Sequence, residues 1–65
     1  MVHLAMTDCR RIAEFANGPA CGPAQRRGIV EKLRDSLVER QSDPHIDPQE
    51  VVELHGLLAA LRAAP

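Results

Sequence analysis

Aromatic residues are almost missing from this 65-residue sequence, which contains one phenylalanine, Phe15, and neither tryptophan nor tyrosine. A hydrophobic core must therefore be built from Leu, Val, Ile and Ala, which bury less area per residue than aromatic side chains do. A chain of this length forms one domain and buries only about 60% of the surface that it exposes when unfolded. Small domains of this kind often gain stability from a covalent link or from self-association.

The sequence also lacks the patterns of export and membrane insertion. No basic segment followed by a long apolar run opens the chain, and no stretch approaches the roughly 20 apolar residues that span a bilayer. We therefore expect a cytoplasmic protein without a membrane partner. In that compartment Cys9 and Cys21 are expected to stay reduced.

Motifs for metal binding and catalysis are missing as well. The three histidines, His3, His45 and His55, have no zinc-site spacing relative to the two cysteines. Cys21 precedes a helix start, where a thiolate is favoured, but no base neighbours it in sequence. We therefore expect no catalytic residue, no cofactor and no metal site, and hence a protein that is not an enzyme.

Charge gives little support to nucleic-acid binding, because the formal net charge is −1. The distribution is uneven: residues 1–40 carry seven basic and five acidic side chains, or +2, whereas residues 41–65 carry one and four, or −3. This dipole could orient a partner or a second copy. A nucleic-acid-binding regulator remains an alternative if the fold brings together four arginines, namely Arg10, Arg11, Arg26 and Arg27.

The clearest secondary-structure signal is a C-terminal helix over residues 48–63. Asp47 suits the N-cap, Pro48 suits the first helical position, and Glu50 can reach back to the N-cap amide. At about 100° per residue one face of this helix is apolar. That face comprises Val51, Leu54, Leu57, Leu58 and Leu61.

A longer helix is predicted over residues 23–41, beginning after Gly22. It should end near Gln41, before the turn 42–47, because Asp43-Pro44 and Asp47-Pro48 both push the chain out of helical geometry. Its apolar face includes Ile29, Val30, Leu33 and Leu37. Because the connection to the last helix is only about six residues long, the two helices should be antiparallel neighbours.

A first helix is predicted to end at Ala16 or Asn17, before the turn 17–23, with Gly18 suited to the left-handed C′ position. It begins either near Val2 or at Thr7, whose hydroxyl could cap a shorter helix. Its apolar face is made mainly of small residues, so it should lie close against the hairpin or a partner.

The expected fold is an all-α, three-helix miniprotein dominated by the C-terminal antiparallel hairpin. We expect two copies to dimerise into a helical bundle that buries their apolar faces. The residues predicted for the core and the dimer are Ile29, Leu33, Leu37, Val51, Leu54, Leu58 and Leu61.

Two short matches to known families occur in the helices. Asp35-Ser36-Leu37 matches the tripeptide at which acyl carrier proteins accept a phosphopantetheine arm, although Ser36 here falls in mid-helix. The layout of the hairpin resembles the short two-helix phosphatases that act on sporulation response regulators, and this resemblance rests on Ile29-Val30-Glu31-Lys32-Leu33-Arg34, Leu37, Asp47-Pro48 and Val52-Glu53-Leu54. It implies a helical hairpin, but the family's signature Ser-Gln-Glu-Leu-Asp is replaced here by His55-Gly56-Leu57-Leu58-Ala59. A phosphatase-like hairpin without its signature motif is thus a second alternative, for which the only polar candidates are His55, Cys21 and Asp47.

The last helix has a second, narrower face of small residues, comprising Val52, Gly56, Ala59, Ala60 and Ala63. Small side chains let the backbone of another helix approach closely, although the same alanines would also suit a solvent-exposed face of good helix propensity. We interpret the chain as a small regulatory or adaptor protein that binds a protein partner stoichiometrically through an apolar helical surface. The expected partner-binding residues are Phe15, Val52, Gly56, Leu57 and Ala60.

Overall fold

The computed structural model describes residues 3–63, and within this range it contains three α-helices and no strand. Helix α1 spans Met6–Ala16, α2 spans Pro23–Gln41 and α3 spans Pro48–Ala63. The predicted all-α class is confirmed, and α2 and α3 occupy the ranges expected from the sequence. None of these helices is both long enough and apolar enough to cross a bilayer.

Each helix runs antiparallel to the next one in the chain. Near the end of α2, Arg40 contacts Glu50 in the first turn of α3. Near the start of α2, Arg26 donates hydrogen bonds to the carbonyl oxygens of Ala16, at the end of α1, and Leu61, near the end of α3. Helices α1 and α3 therefore point in the same direction, with α2 opposed to both.

The core is aliphatic and draws only small side chains from α1. Eight buried residues form it, namely Cys9, Ala13 and Ala16 from α1, Leu33 and Leu37 from α2, and Leu54, Leu58 and Leu61 from α3. Ile29, Val51 and Leu57 are partly buried and pack against this cluster. Because alanine and cysteine occupy little space, the backbone of α1 can lie close to the leucines of the hairpin.

Helix α1 packs on the leucine faces of the hairpin, where a second copy of the chain was expected. Leu33, Leu54 and Leu58 are buried within one chain, so the leucine faces are not available to build the core of a four-helix dimer. Within one chain the small-residue face of α1 covers these faces. Dimerisation is not shown by this structure and stays a prediction, and self-association that keeps this fold would use another surface.

Helix α1 ends at Ala16, as predicted, but its capping differs from that expected at both ends. The helix begins at Met6 with Ala5 at the N-cap and without a side-chain cap, so the proposed cap by Thr7 is wrong; Val2, the other proposed start, lies outside the described residues. At the far end Gly18 does not have a positive φ. Its N–H donates to the carbonyl oxygen of Phe15 at 3.0 Å, so the chain leaves the helix through a tight turn of the 3₁₀ type.

The start of α3 keeps one predicted cap and replaces the other. The Oδ1 atom of Asp47 accepts a hydrogen bond from the N–H of Gln49 at 2.9 Å. Glu50, expected to reach back to the N-cap amide, instead accepts a hydrogen bond from the Nε atom of Arg40 at 2.9 Å. Arg40 is only 2% exposed, and a buried guanidinium requires an anionic acceptor.

The guanidinium of Arg40 links three parts of the chain. Besides Glu50 it donates to the hydroxyl of Ser36, one turn earlier on α2, and to the carbonyl oxygen of Leu4, in the segment that precedes α1. The N-terminal segment is therefore tied to the end of α2 and the start of α3 by one buried cation.

Candidate protein-binding surface

The side of α3 that faces away from the core exposes an apolar strip, which we call the α3 outer face and define as Val52, Gly56, Ala59 and Ala60. On a helix of 3.6 residues per turn, Val52 and Gly56 each lie about 160° from the buried Leu54. The side chain of Val52 is 63% exposed, and the other three residues are exposed as well. The side chain of Ala63 lies outside the described residues.

Leu57 connects the α3 outer face to the core. It is partly buried and packs against the core cluster, while the neighbouring Ala60 is exposed. A second helix laid along this strip would therefore meet Leu57 beside the exposed small residues, with the Arg10–Glu53 pair at the border, since Glu53 lies one turn before Leu57.

The fold does not require a glycine at position 56. A Cβ atom added there would meet no heavy atom within 4 Å, yet glycine at an exposed helix position costs about 1 kcal/mol relative to alanine. The same is true of Gly28 on α2, so an open glycine does not by itself mark a surface. What distinguishes position 56 is its neighbour one turn earlier, the exposed Val52.

Phe15 does not join this strip. On α1, Arg10 contacts Glu53 of α3 through two hydrogen bonds. Phe15 comes five residues later, about 140° further around the helix, and so lies on the side of α1 turned away from Glu53. Its side chain is 45% exposed, which makes it a separate apolar feature.

Val38 of α2 is an exposed apolar side chain that the sequence analysis did not single out, with 54% of its surface accessible. The sequence did indicate this exposure. Leu37 lies on the core-facing side of α2, and Val38, the next residue, points about 100° away from it.

The four arginines of the nucleic-acid alternative do not converge at one end of the bundle. Arg10 lies beside Glu53, whereas Arg26 lies beside Leu61, eight residues or about 12 Å further along α3. Both are engaged within the chain, while Arg11 and Arg27 are exposed. The hydrogen bonds and opposite charge of the Arg10–Glu53 pair lower the pKa of Glu53 and raise that of Arg10.

The two cysteines and Ser36, the serine of the acyl-carrier-like tripeptide, have ordinary surroundings. Cys9 is buried, Cys21 is partly buried, and both are free thiols. No three His, Cys, Asp or Glu side chains within residues 3–63 are arranged to hold a metal ion. Ser36 is buried and accepts a hydrogen bond from Arg40, so its hydroxyl is not presented to a modifying enzyme.

The polar candidates for a phosphatase-like activity are dispersed. Cys21 precedes α2 and Asp47 precedes α3, at opposite ends of the antiparallel hairpin. His55 is exposed in the middle of α3, with its Nε2 atom 3.4 Å from the side-chain nitrogen of Gln41.

Comparison of the chain with protein-family models, with curated proteins and with solved structures found no match. The candidate surface therefore rests on the geometry and chemistry of this chain alone.

Proposed function

We propose that this chain is a small, non-enzymatic regulatory or adaptor protein that binds a helical segment of a partner protein through the α3 outer face. The observation that carries the proposal is the 63% exposure of Val52 next to small residues that leave room for another backbone. A helical partner fits because the described part of the chain offers no sheet edge to which a strand could add.

The chemistry of the strip favours a stoichiometric partner over a substrate. Val52, Gly56 and Ala60 present no nucleophile, acid or base, so contact with them can contribute burial and shape but no reaction step. Removing apolar surface from water stabilises a complex by about 25 cal/mol per Å². Part of this free energy offsets the translational and rotational entropy that is lost on association. We further propose a cytoplasmic location, where the two free thiols would remain reduced.

The experiment compares two Ala→Glu variants of the tagged protein in capture from an extract of its own source. Ala60→Glu places a charge on the α3 outer face, whereas Ala24→Glu places the same charge at an exposed position in the first turn of α2. We expect the wild type and Ala24→Glu to retain one protein in a stoichiometric amount after nuclease treatment. Ala60→Glu should lose that protein while its helical circular dichroism is unchanged.

Retention of the same partner by Ala60→Glu would rule out the α3 outer face as the binding surface. If the captured material is lost on nuclease treatment and on addition of salt, the result would instead favour nucleic-acid binding through the arginines, because released counterions drive such binding.

A further inference from the structure

A pocket lies at the C-terminal end of α2, away from the α3 outer face. Its volume is about 420 Å³, and it is lined by His3, Val38, Glu39, Ser42 and Asp43. The segment before α1 closes one side of it, since the Nε2 atom of His3 lies 2.9 Å from the Oδ2 atom of Asp43.

The contact with Asp43 shows that Nε2 of His3 carries a hydrogen. An ionised carboxylate only accepts, so Nε2 must be the donor. The Nδ1 atom of His3 is shielded from solvent and has no hydrogen-bond partner. The nearest carboxylate oxygen, Oε2 of Glu39, is 3.8 Å away, beyond hydrogen-bond distance, and is itself an acceptor.

The side-chain oxygens that Ser42, Glu39 and Asp43 contribute to the pocket are acceptors. The hydroxyl of Ser42 donates its single hydrogen to the carbonyl oxygen of Val38 at 3.1 Å, which leaves only its lone pairs toward the pocket. Asp43 accepts from His3 and from the N–H of His45, and a carboxylate can accept further bonds. The side chain of Glu39 is 46% exposed, so a ligand can reach its carboxylate from solvent.

Two of the five lining residues, Glu39 and Asp43, carry carboxylates. Arg40, which directly follows Glu39, is buried and directed to Glu50, Ser36 and the carbonyl oxygen of Leu4, so its guanidinium does not pair with either of these carboxylates. Val38, 54% exposed, supplies an apolar wall beside these acceptors.

We propose that this pocket binds a guanidinium group on an alkyl stem, presented by an arginine side chain of a partner. A guanidinium offers five N–H donors, no acceptor and a permanent positive charge, which complements a pocket of acceptors and carboxylates. The alkyl stem would rest on Val38 while the charged group remains at the carboxylates. This site lies on α2 and does not depend on the proposed use of the α3 outer face.

The test is a titration of the isotope-labelled protein, followed by NMR, with a blocked alanine pentapeptide that carries arginine at its centre. The control peptide carries citrulline, which has nearly the same shape without the charge. We expect saturable shifts at Val38, Glu39, Ser42 and Asp43 with the arginine peptide and binding about tenfold weaker with citrulline. A parallel arm with ethylguanidine separates two sources: weaker binding than the peptide indicates a protein partner, and equal binding indicates a free guanidine compound.

Two protein variants locate the site. Glu39→Gln keeps the size of an exposed side chain and should weaken arginine binding about tenfold. Glu31→Gln, two turns earlier on α2, removes the same charge outside the pocket and should leave binding unchanged. The proposal is overturned if the arginine peptide causes no saturable shift, if citrulline binds equally well, or if the two variants weaken binding to the same extent.

Discussion

Two glutamates three residues apart on α3 each pair with an arginine, but in different surroundings. Glu50 pairs with Arg40, which is buried, whereas Glu53 pairs with Arg10, which is largely exposed. Removal of Glu50 leaves the buried charge of Arg40 without an anionic partner, whereas removal of Glu53 leaves the charge of Arg10 in contact with water. We expect Glu50→Ala to lower the free energy of unfolding by about 2–3 kcal/mol and Glu53→Ala to lower it clearly less, because water solvates the exposed pair.

Urea unfolding of both variants, followed by circular dichroism, measures this difference. Equal destabilisation by the two substitutions would show that the guanidinium of Arg40 is not confined in the interior as the structure has it.

Two exposed glycines offer a second residue-scale prediction. A Cβ at Gly28 or Gly56 would meet nothing within 4 Å, whereas a Cβ at Gly18 would lie 3.3 Å from the carbonyl oxygen of Phe15. Gly28→Ala and Gly56→Ala should each raise the free energy of unfolding by about 0.5–1 kcal/mol, because alanine restricts the unfolded chain and favours the helix. Gly18→Ala should give no such gain. Thermal melts of the three variants test this, and a loss of stability on Gly28→Ala would contradict the open surroundings of that position.

At the scale of single helices, the sequence predicted more of α2 and α3 than of α1. Proline at the first helical position and Asp47 as the cap define the start of α3, and leucines at helical spacing define its buried face. The start of α1 has no capping side chain, so local chemistry could not distinguish the two proposed starts. The observed start at Met6 is one residue before the shorter alternative, which began at Thr7.

What local patterns could not supply are contacts made by several elements at once. Arg40 lies on the apolar side of α2, but its burial depends on acceptors from Ser36, Glu50 and the backbone of Leu4. The position of Phe15 likewise depends on how α1 is rotated about its axis, which the Arg10–Glu53 pair reveals only in the folded chain. Helical spacing predicted the residues of the α3 outer face. It could not predict that Phe15 lies apart from this face.

Carboxylates that join separate elements predict a dependence of stability on pH. Hydrogen bonds lower the pKa of Asp43, bound by His3, below its ordinary 3.8, and that of Glu53, bound by Arg10, below its ordinary 4.5. A group whose pKa is lower in the folded state contributes stability above its unfolded pKa and loses it as pH falls through the folded value. We therefore expect the free energy of unfolding to fall progressively below about pH 4.5.

Melting temperatures of the wild type and of Glu53→Gln, measured from neutral to acidic pH, provide the check. The variant should have a lower melting temperature than the wild type at neutral pH. Its melting temperature should fall less on acidification, since it lacks one of the carboxylates whose protonation lowers stability. If acidification lowers the melting temperature of both proteins by the same amount, the Arg10–Glu53 contact does not join α1 to α3 in solution.

For the molecule as a whole, α1 covers the leucine faces, so a homodimer that keeps this fold would use an exposed apolar surface. The α3 outer face is one such surface, besides Phe15 and Val38, and a dimer formed there would compete with the proposed partner for the same residues. In an antiparallel pair of α3 helices, Arg62 near the end of one copy would face the acidic start of the other, which gives complementary charge. We expect sedimentation equilibrium to show reversible self-association that Ala60→Glu abolishes and Ala24→Glu preserves. Dimers of equal stability in both variants would place the contact elsewhere.

The central claim is that the α3 outer face meets a partner protein. The most direct measurement places a photo-crosslinking amino acid at Val52 and, as a control, at Glu31 on the exposed side of α2, and irradiates each protein in an extract of its own source. The account predicts one dominant, nuclease-resistant adduct of a second protein from position 52 and none from position 31. No protein adduct from position 52, or the same adducts from both positions, would contradict it.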